Sequence, residues 1–403
     1  MKIISTLIVV LFSISTISGQ TKFQKDFTYY WQTVHANFAY FDRQHINWDK
    51  VKKIYQPIVD TISDKTAFIH LLETVNNELY NGHVFLNTNT PASNRVIPTG
   101  ADMKIGYANQ QFVIAELRPG FNAELCGLKK GMIITKFNDQ LVSEALLHIL
   151  PRSAARQEKE IYDYAATFLL AGTHNIKRKI TIQSAGKEKY YYPDSIPNKT
   201  ESDPISLLET KLLPGNTGYI RINNSLGNSD LIEAFDLALD GFIKTSGLVL
   251  DLRETPSGGT TTIARAIMGR FIDKELPYQK HIYTAEELET GIKRTSLELV
   301  SPRGKTYKKP LIVLVSYWTG SMGEGMAIGF DGMKRATIAG TKMAGLLGEI
   351  YSFETPELKI PFSFPCVQLR HINGQPREDF VPAILIQDQG KAVEKALEAL
   401  KKR

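Results

Sequence analysis

Between residues 217 and 340, four short and almost wholly apolar runs, "TGYIRIN", "GLVLDLR", "LIVLVS" and "ATIAG", alternate with stretches of helical period. The intervening stretches are "DLIEAFDLALDGFIK", "TTTIARAIMGRFI" and "EGMAIGFDGMKR". Strands that are apolar on both faces must be covered on both faces. That calls for helices above and below a sheet, hence an α/β core. At 403 residues and 43% hydrophobic, the chain is globular and long enough for two or three domains.

Upstream the pattern differs. Residues 23–80 read as three amphipathic helices, with Phe27, Tyr30, Trp31, Val34 and Phe38 marking the apolar face of the first. Asn81-Gly82 stops the third, and a strand-like "HVFL" follows. A polar stretch with two prolines (87–100) marks a boundary. Short strands then run to about 190: "MKIGYA", "QFVIAEL", "GMIITKFND" and "KRKITIQS". Residues 141–172 read as a helical insertion among them. A linker rich in Pro, Ser and Asp (190–204) leads to the α/β core, which closes on the amphipathic helix "GKAVEKALEALKKR". The expected division is 1–19, 20–93, 94–190 and 205–403.

The first segment has the make-up of a secretory signal peptide. Lys2 supplies the positive charge, "IISTLIVVLF" the apolar centre and "SISTISGQ" the small polar end, with cleavage expected after Ser18 or Gly19. The apolar centre is too short to span a bilayer, and no cysteine is present there to take a lipid. The expectation is an exported protein, periplasmic or secreted, without a transmembrane anchor. The formal charge is +6, but lysines and arginines are scattered among acids, and no basic block alternates with aromatics. Nucleic acid is therefore not an expected partner. Cys126 and Cys366 could pair in an oxidising compartment, yet both stand in apolar contexts that favour two buried thiols. No histidine–cysteine cluster points to a metal, and no cofactor is expected.

Four local features could carry chemistry. In "SYWTGSMGEG" (316–325) a buried strand runs into a glycine-rich turn with Ser321 at its centre and Glu324 three residues on. As S-x-x-E this is a capping box in which Ser321 is a plain N-cap. Equally, it holds a serine at a helix N-terminus with the Met322 amide free to donate. In "GLVLDLRETPSGGTT" the pair Gly258-Gly259 lets backbone N–H groups face a ligand. His83 lies in the abrupt turn "NGHV", and Glu378 and Asp379 lie in the loop "HINGQPREDFVPAI".

In this order the features resemble a serine peptidase family, that of the C-terminal processing (tail-specific) proteases and the tricorn core protease. The matching stretches are "YNGHV", "DLRETPSGG", "TGSMGE" and "PREDFVP", and the likeness covers nearly all of the chain beyond the leader. It also takes in "NAELCGLKKGMIITKFNDQLV", which resembles a PDZ domain, although Met132 and Asp139 stand where that domain usually has Asp and Gly. The resemblance implies a multidomain α/β protein: an N-terminal helical region, a PDZ-like β-rich domain and an α/β core of the ClpP/crotonase-like kind.

The lysine-dependent branch of the family carries its lysine about 25 residues after the serine. Here Leu346 stands at that distance, with Lys342 four residues early. The histidine-dependent, tricorn-like branch fits better. It implies Ser321 as nucleophile, His83 as base and Glu378 as the acid that orients the imidazole. Met322 N–H, with Gly258 or Gly259, would form the oxyanion hole. That branch often has a serine just before the histidine, where this chain has Gly82. The implied activity is endopeptidase action on unfolded or tail-exposed polypeptide, with C-terminal tails bound at the PDZ-like domain as an added strand. Because the same fold also occurs as a non-enzymatic carrier, an inactive peptide- or ligand-binding protein is the alternative.

Overall fold

The computed structural model describes residues 20–184, 186–196 and 206–402. The expected signal peptide lies outside the described residues, as does part of the 190–204 linker.

The three amphipathic helices form as Lys22–Asn37, Trp48–Val59 and Lys65–Asn76. Each has a polar N-cap, Thr21, Asn47 and Asp64, whose side-chain oxygen accepts a backbone N–H of the first turn. Phe27, Tyr30, Val34, Val51, Tyr55, Phe68 and Leu72 are buried together. The third helix closes through a short 3₁₀ turn, and Tyr80 takes the positive φ of 26° that turns the chain toward His83.

The middle domain is an antiparallel sheet. Its strands are β1 (Met103–Ala108), β2 (Gln111–Leu117), β3 (Ile133–Phe137), β4 (Ile180–Ser184) and β5 (Lys187–Tyr191), paired in that order. The expected insertion is not one. Its main helix, α1 (Lys159–Ala171), buries Ala165, Ala166 and Leu170 in the core of this domain. It also seals the outer edge of β1: Ile105 N–H donates to Thr167 Oγ1 at 3.0 Å, and Tyr107 N–H to Asp163 Oδ1 at 2.6 Å. An apolar helical face beside a strand looks the same in sequence whether the helix belongs to the domain or interrupts it. Cys126 and Cys366 are both free thiols, the first half-buried and the second buried.

In the core domain the four apolar runs form a sheet. From one edge its order is Ile384–Leu385, Thr337–Gly340, Leu311–Val315, Gly247–Asp251, Thr217–Ile222 and Leu208–Leu213. All neighbours are parallel except the last pair, which is an antiparallel hairpin. Helices cover one face with Phe235, Ile263, Met268, Met326 and Phe330, and the C-terminal helix covers the other with Ala392 and Ala396. A second, antiparallel sheet is built on the ten-residue strand Pro361–Arg370. That strand also receives Phe85–Leu86 and contributes Phe362, Phe364 and Cys366 to the core of the N-terminal helices. This arrangement carries the His83 turn to the α/β core.

Candidate active site

Ser321 ends the turn after Leu311–Val315 and precedes the helix Met322–Gly332. Its backbone is at φ 51° and ψ −111°. That region excludes most L-residues, and a non-glycine residue held there stores roughly 1–3 kcal/mol of strain. Two turns are laced together to hold it. Thr255 N–H donates to Trp318 O at 3.0 Å, and Gly320 N–H to Thr255 O at 3.2 Å.

Glu324 lies fully buried beneath this turn. One carboxylate oxygen accepts Ser321 N–H at 2.8 Å and the other Gly345 N–H at 2.9 Å. Burial pushes its carboxyl up to about 7, against the pull of Arg377 and those two amides. The capping role expected for Glu324 is thus part of a larger network. Asn81 Nδ2 donates to Gly345 O at 3.2 Å, while Asn81 Oδ1 accepts His83 N–H at 3.0 Å and Leu347 N–H at 3.2 Å. From the Ser321 amide to the His83 amide, the connection passes through only Glu324, Gly345 and Asn81.

Leu346 brings the same two turns together by packing. A Cβ built on Gly82 would lie 2.9 Å from Leu346 Cδ2, and one on Gly320 would lie 3.3 Å from Leu346 Cδ1. One leucine side chain therefore fills the space between the residue before His83 and the residue before Ser321. It does so at the position where the lysine branch has its base.

The imidazole of His83 is buried, and its Nδ1 lies 2.5 Å from the Leu347 carbonyl. A carbonyl only accepts, so Nδ1 carries the proton and Nε2 keeps its lone pair. Burial, and next the nearby Arg377 guanidinium, push the imidazole down to about 4. It is a neutral base at pH 7. Among the described residues no hydrogen bond joins its Nε2 to Ser321 Oγ; such bonds are often long before substrate binds.

The tautomer-fixing role expected of Glu378 is filled here by the Leu347 carbonyl. Glu378 faces Arg43 instead, with Oε1 3.4 Å from Arg43 Nε. Asp379, its neighbour, takes the rest of the Arg43 guanidinium. The residue of this loop that reaches the centre is Arg377, which sequence reasoning passed over. It is 2% exposed, and it donates to Ser321 O at 3.3 Å and to Leu346 O at 2.7 Å. Charge alone could not single it out within "PRED".

Of the expected oxyanion residues, Gly258 lies against Ser321. A Cβ there would be 2.4 Å from Ser321 Cβ and 2.9 Å from both Ser321 Oγ and Met322 N. Only glycine fits, and its φ of 63° requires one as well. Its own N–H donates to Thr255 O at 3.1 Å. Gly259 packs on the Leu226 carbonyl, 2.0 Å from where a Cβ would stand. Met322 opens its helix, so its amide has no carbonyl one turn back within the helix.

Gly82 also has a steric reason. A Cβ there would lie 2.2 Å from the Ile97 carbonyl oxygen. A serine at this position has no room in this chain. Gly82→Ser is expected to lower thermal stability, by about 1–3 kcal/mol of overpacking, without raising turnover. A gain in turnover would show that the missing serine limits catalysis. Among the described residues no group of three or more His, Cys, Asp or Glu could hold a metal ion, and no helix is long and apolar enough to cross a membrane.

Residues 216–357 match the profile of peptidase family S41, and residues 20–76 that of the tricorn protease C1 domain. Among solved structures, mature CPAF complexed with lactacystin is similar over 94% of this chain and 97% of that one, with TM-score 0.62 and 14% identity. The photosystem II D1 C-terminal processing protease matches over 91% and 94%, with TM-score 0.55 and 16% identity. A protein from Parabacteroides merdae matches over 94% and 97%, with TM-score 0.59 and 15% identity. These identities establish a shared fold. Taken with the family match, they define a serine-type peptidase. The likeness to the family S41 profile lies in residues 216–357 of its core.

Proposed function

We propose that this protein is an exported endopeptidase that cleaves unfolded or tail-exposed polypeptide through a Ser321–His83 acyl-enzyme mechanism. The observation that carries the reading is the network Ser321–Glu324–Gly345–Asn81–His83, in which Nδ1 of the imidazole is already committed to Leu347 and Nε2 is the remaining base. In this mechanism Nε2 takes the Ser321 proton as Oγ attacks the peptide carbonyl. The Met322 amide and a second amide from the 258–259 turn hold the oxyanion. The imidazolium then protonates the leaving amine, and water releases the acyl group. Since the Gly258 amide already donates to Thr255, the second donor is Gly259, or Gly258 after that turn opens.

Tail capture at the PDZ-like domain belongs to the proposal in a gated form. A peptide can add to β1 only if Asp163 and Thr167 first leave its edge amides. A second reading, an inactive binding protein of the same shape, is favoured by the engaged Gly258 amide and by the lack of a Ser321–His83 hydrogen bond. A fluorophosphonate probe separates the two. The mature protein is expected to take one label, mapped by mass spectrometry to Ser321, and to cut denatured casein. No label and no cutting would leave the binding protein.

A further inference from the structure

We infer that the cleft beside the His83 turn selects polypeptide segments bearing a lysine or arginine side chain, and that Glu378 is the group that receives the cation. The inference deepens the peptidase reading, on which its consequence for turnover rests. The cleft has a volume of about 500 Å³, enough for an extended side chain, and Gly82, Leu346 and Leu347 of the catalytic turns form part of its wall.

Glu378 lines the same cleft. Its side chain is only 6% exposed, yet Oε2 has no hydrogen-bond partner among the described residues. A buried carboxylate oxygen left unpaired is costly, and the cost is recovered when a cation arrives. Glu378 is not needed to orient the imidazole, because the Leu347 carbonyl holds Nδ1. Arg43 does not satisfy it either. Both terminal nitrogens of that guanidinium go to Asp379, leaving only Nε at 3.4 Å from the other oxygen, Oε1. Desolvation raises the Glu378 carboxyl above its ordinary range, as expected of an acid whose counter-charge is incomplete.

The rest of the cleft has the same sign. Glu158, Glu160, Asp163 and Asp379 join Glu378 along it, against Arg43, Lys104 and Lys342, although Glu158, Asp163 and Asp379 already face Arg156, Lys159 and Arg43. Of those cations Arg43 is spent as described. Lys104 is turned to Glu116 at 4.0 Å and lies over the Tyr317 ring at 4.7 Å. A cationic side chain entering beside Leu346 thus reaches the wall formed by Glu378, whose buried Oε2 has no partner among the described residues. Acidic residues at the same place are disfavoured.

The test uses the full mature chain carrying Ser321→Ala, which cannot turn over, and two fluorescent unfolded decapeptides identical except for a central lysine or norleucine. Anisotropy titration at low salt is expected to give about tenfold tighter binding of the lysine peptide, the size of one charge-assisted hydrogen bond in a desolvated site. Adding Glu378→Gln should bring the ratio close to one. Equal affinities for the two peptides, or a ratio that survives Glu378→Gln, would overturn the inference. So would Glu378→Gln in the Ser321 background lowering cleavage of both peptides by one common factor, the mark of an imidazole-positioning acid. If the Ser321 protein cuts neither peptide while the binding ratio holds, the catalytic reading fails and the cation site stands.

Discussion

Ser321→Gly is expected to yield a folded protein whose resistance to urea equals or exceeds that of the parent and whose peptidase rate is lower by about 10⁴-fold or more. Under the proposed mechanism the rate follows from loss of the nucleophile, after which only binding and the oxyanion donors remain. The stability follows from the backbone. At φ 51° and ψ −111° a serine is strained and a glycine is not, so the substitution releases strain of order 1–3 kcal/mol. Part of that gain, about 0.5–1 kcal/mol, is offset by the greater freedom of glycine in the unfolded chain. Ser321→Ala should lose the same activity and, since alanine inherits the strain, show no stability gain. If Ser321 were only an N-cap, glycine would still relieve the backbone strain, but alanine would cost about 1 kcal/mol through the lost cap and turnover would survive both substitutions. Urea midpoints and casein cleavage for the three proteins decide between a strained catalytic turn and an ordinary cap.

The parts of this architecture that could be read in advance are those where a single face of a single element decides burial. Leu248, Val249 and Leu250 are buried from both sides, as are Ile312, Val313 and Leu314, so their strands read as apolar runs. Phe27, Tyr30 and Val34 face one core at helical spacing. The second sheet was not legible. Its central strand carries Pro361 and Pro365, residues that argue against a strand, and its register with Glu349–Glu354 is irregular next to Pro365. The site divided in the same way. Ser321, His83 and Gly258 sit in turns marked in sequence by neighbouring glycines, which is why they could be singled out as candidates. Arg377 and the Leu347 carbonyl act through positions that only the packed chain defines. A main-chain oxygen has no sequence signature, and a buried arginine looks like its exposed neighbours in "PRED". Glu378 was visible as an acid in the right loop, but the direction it faces depends on Arg43, far away in sequence.

His83→Gln should cut kcat by about 10³-fold or more, and its effect on stability should depend on pH in a direction fixed by the burial of the ring. Burial holds the folded imidazole at about 4, below its ordinary 6.5. Between those values the unfolded chain binds more protons than the folded one. Stability from this residue is therefore complete above pH 6.5 and is lost as pH falls toward 4, by on the order of 3 kcal/mol. Relative to His83→Gln, the parent should lose that margin on acidification across this window. Glu324 runs the other way. Burial pushes its carboxyl up to about 7, above the ordinary 4.5, so the folded state holds more protons between them, and its contribution falls as pH rises from 4.5 to 7. Relative to Glu324→Gln the parent should weaken on alkalinisation. Two buried groups on one network thus oppose each other over the same pH range, and single substitutions separate them by sign. The acid limb of kcat/KM for the parent should lie well below pH 6.5, and Arg377→Lys, which keeps the charge, should move it less than Arg377→Gln, which removes it and shifts the limb upward. A limb at pH 6.5 in the parent, unmoved by Arg377→Gln, would mean that the base is a solvated group and not the buried His83.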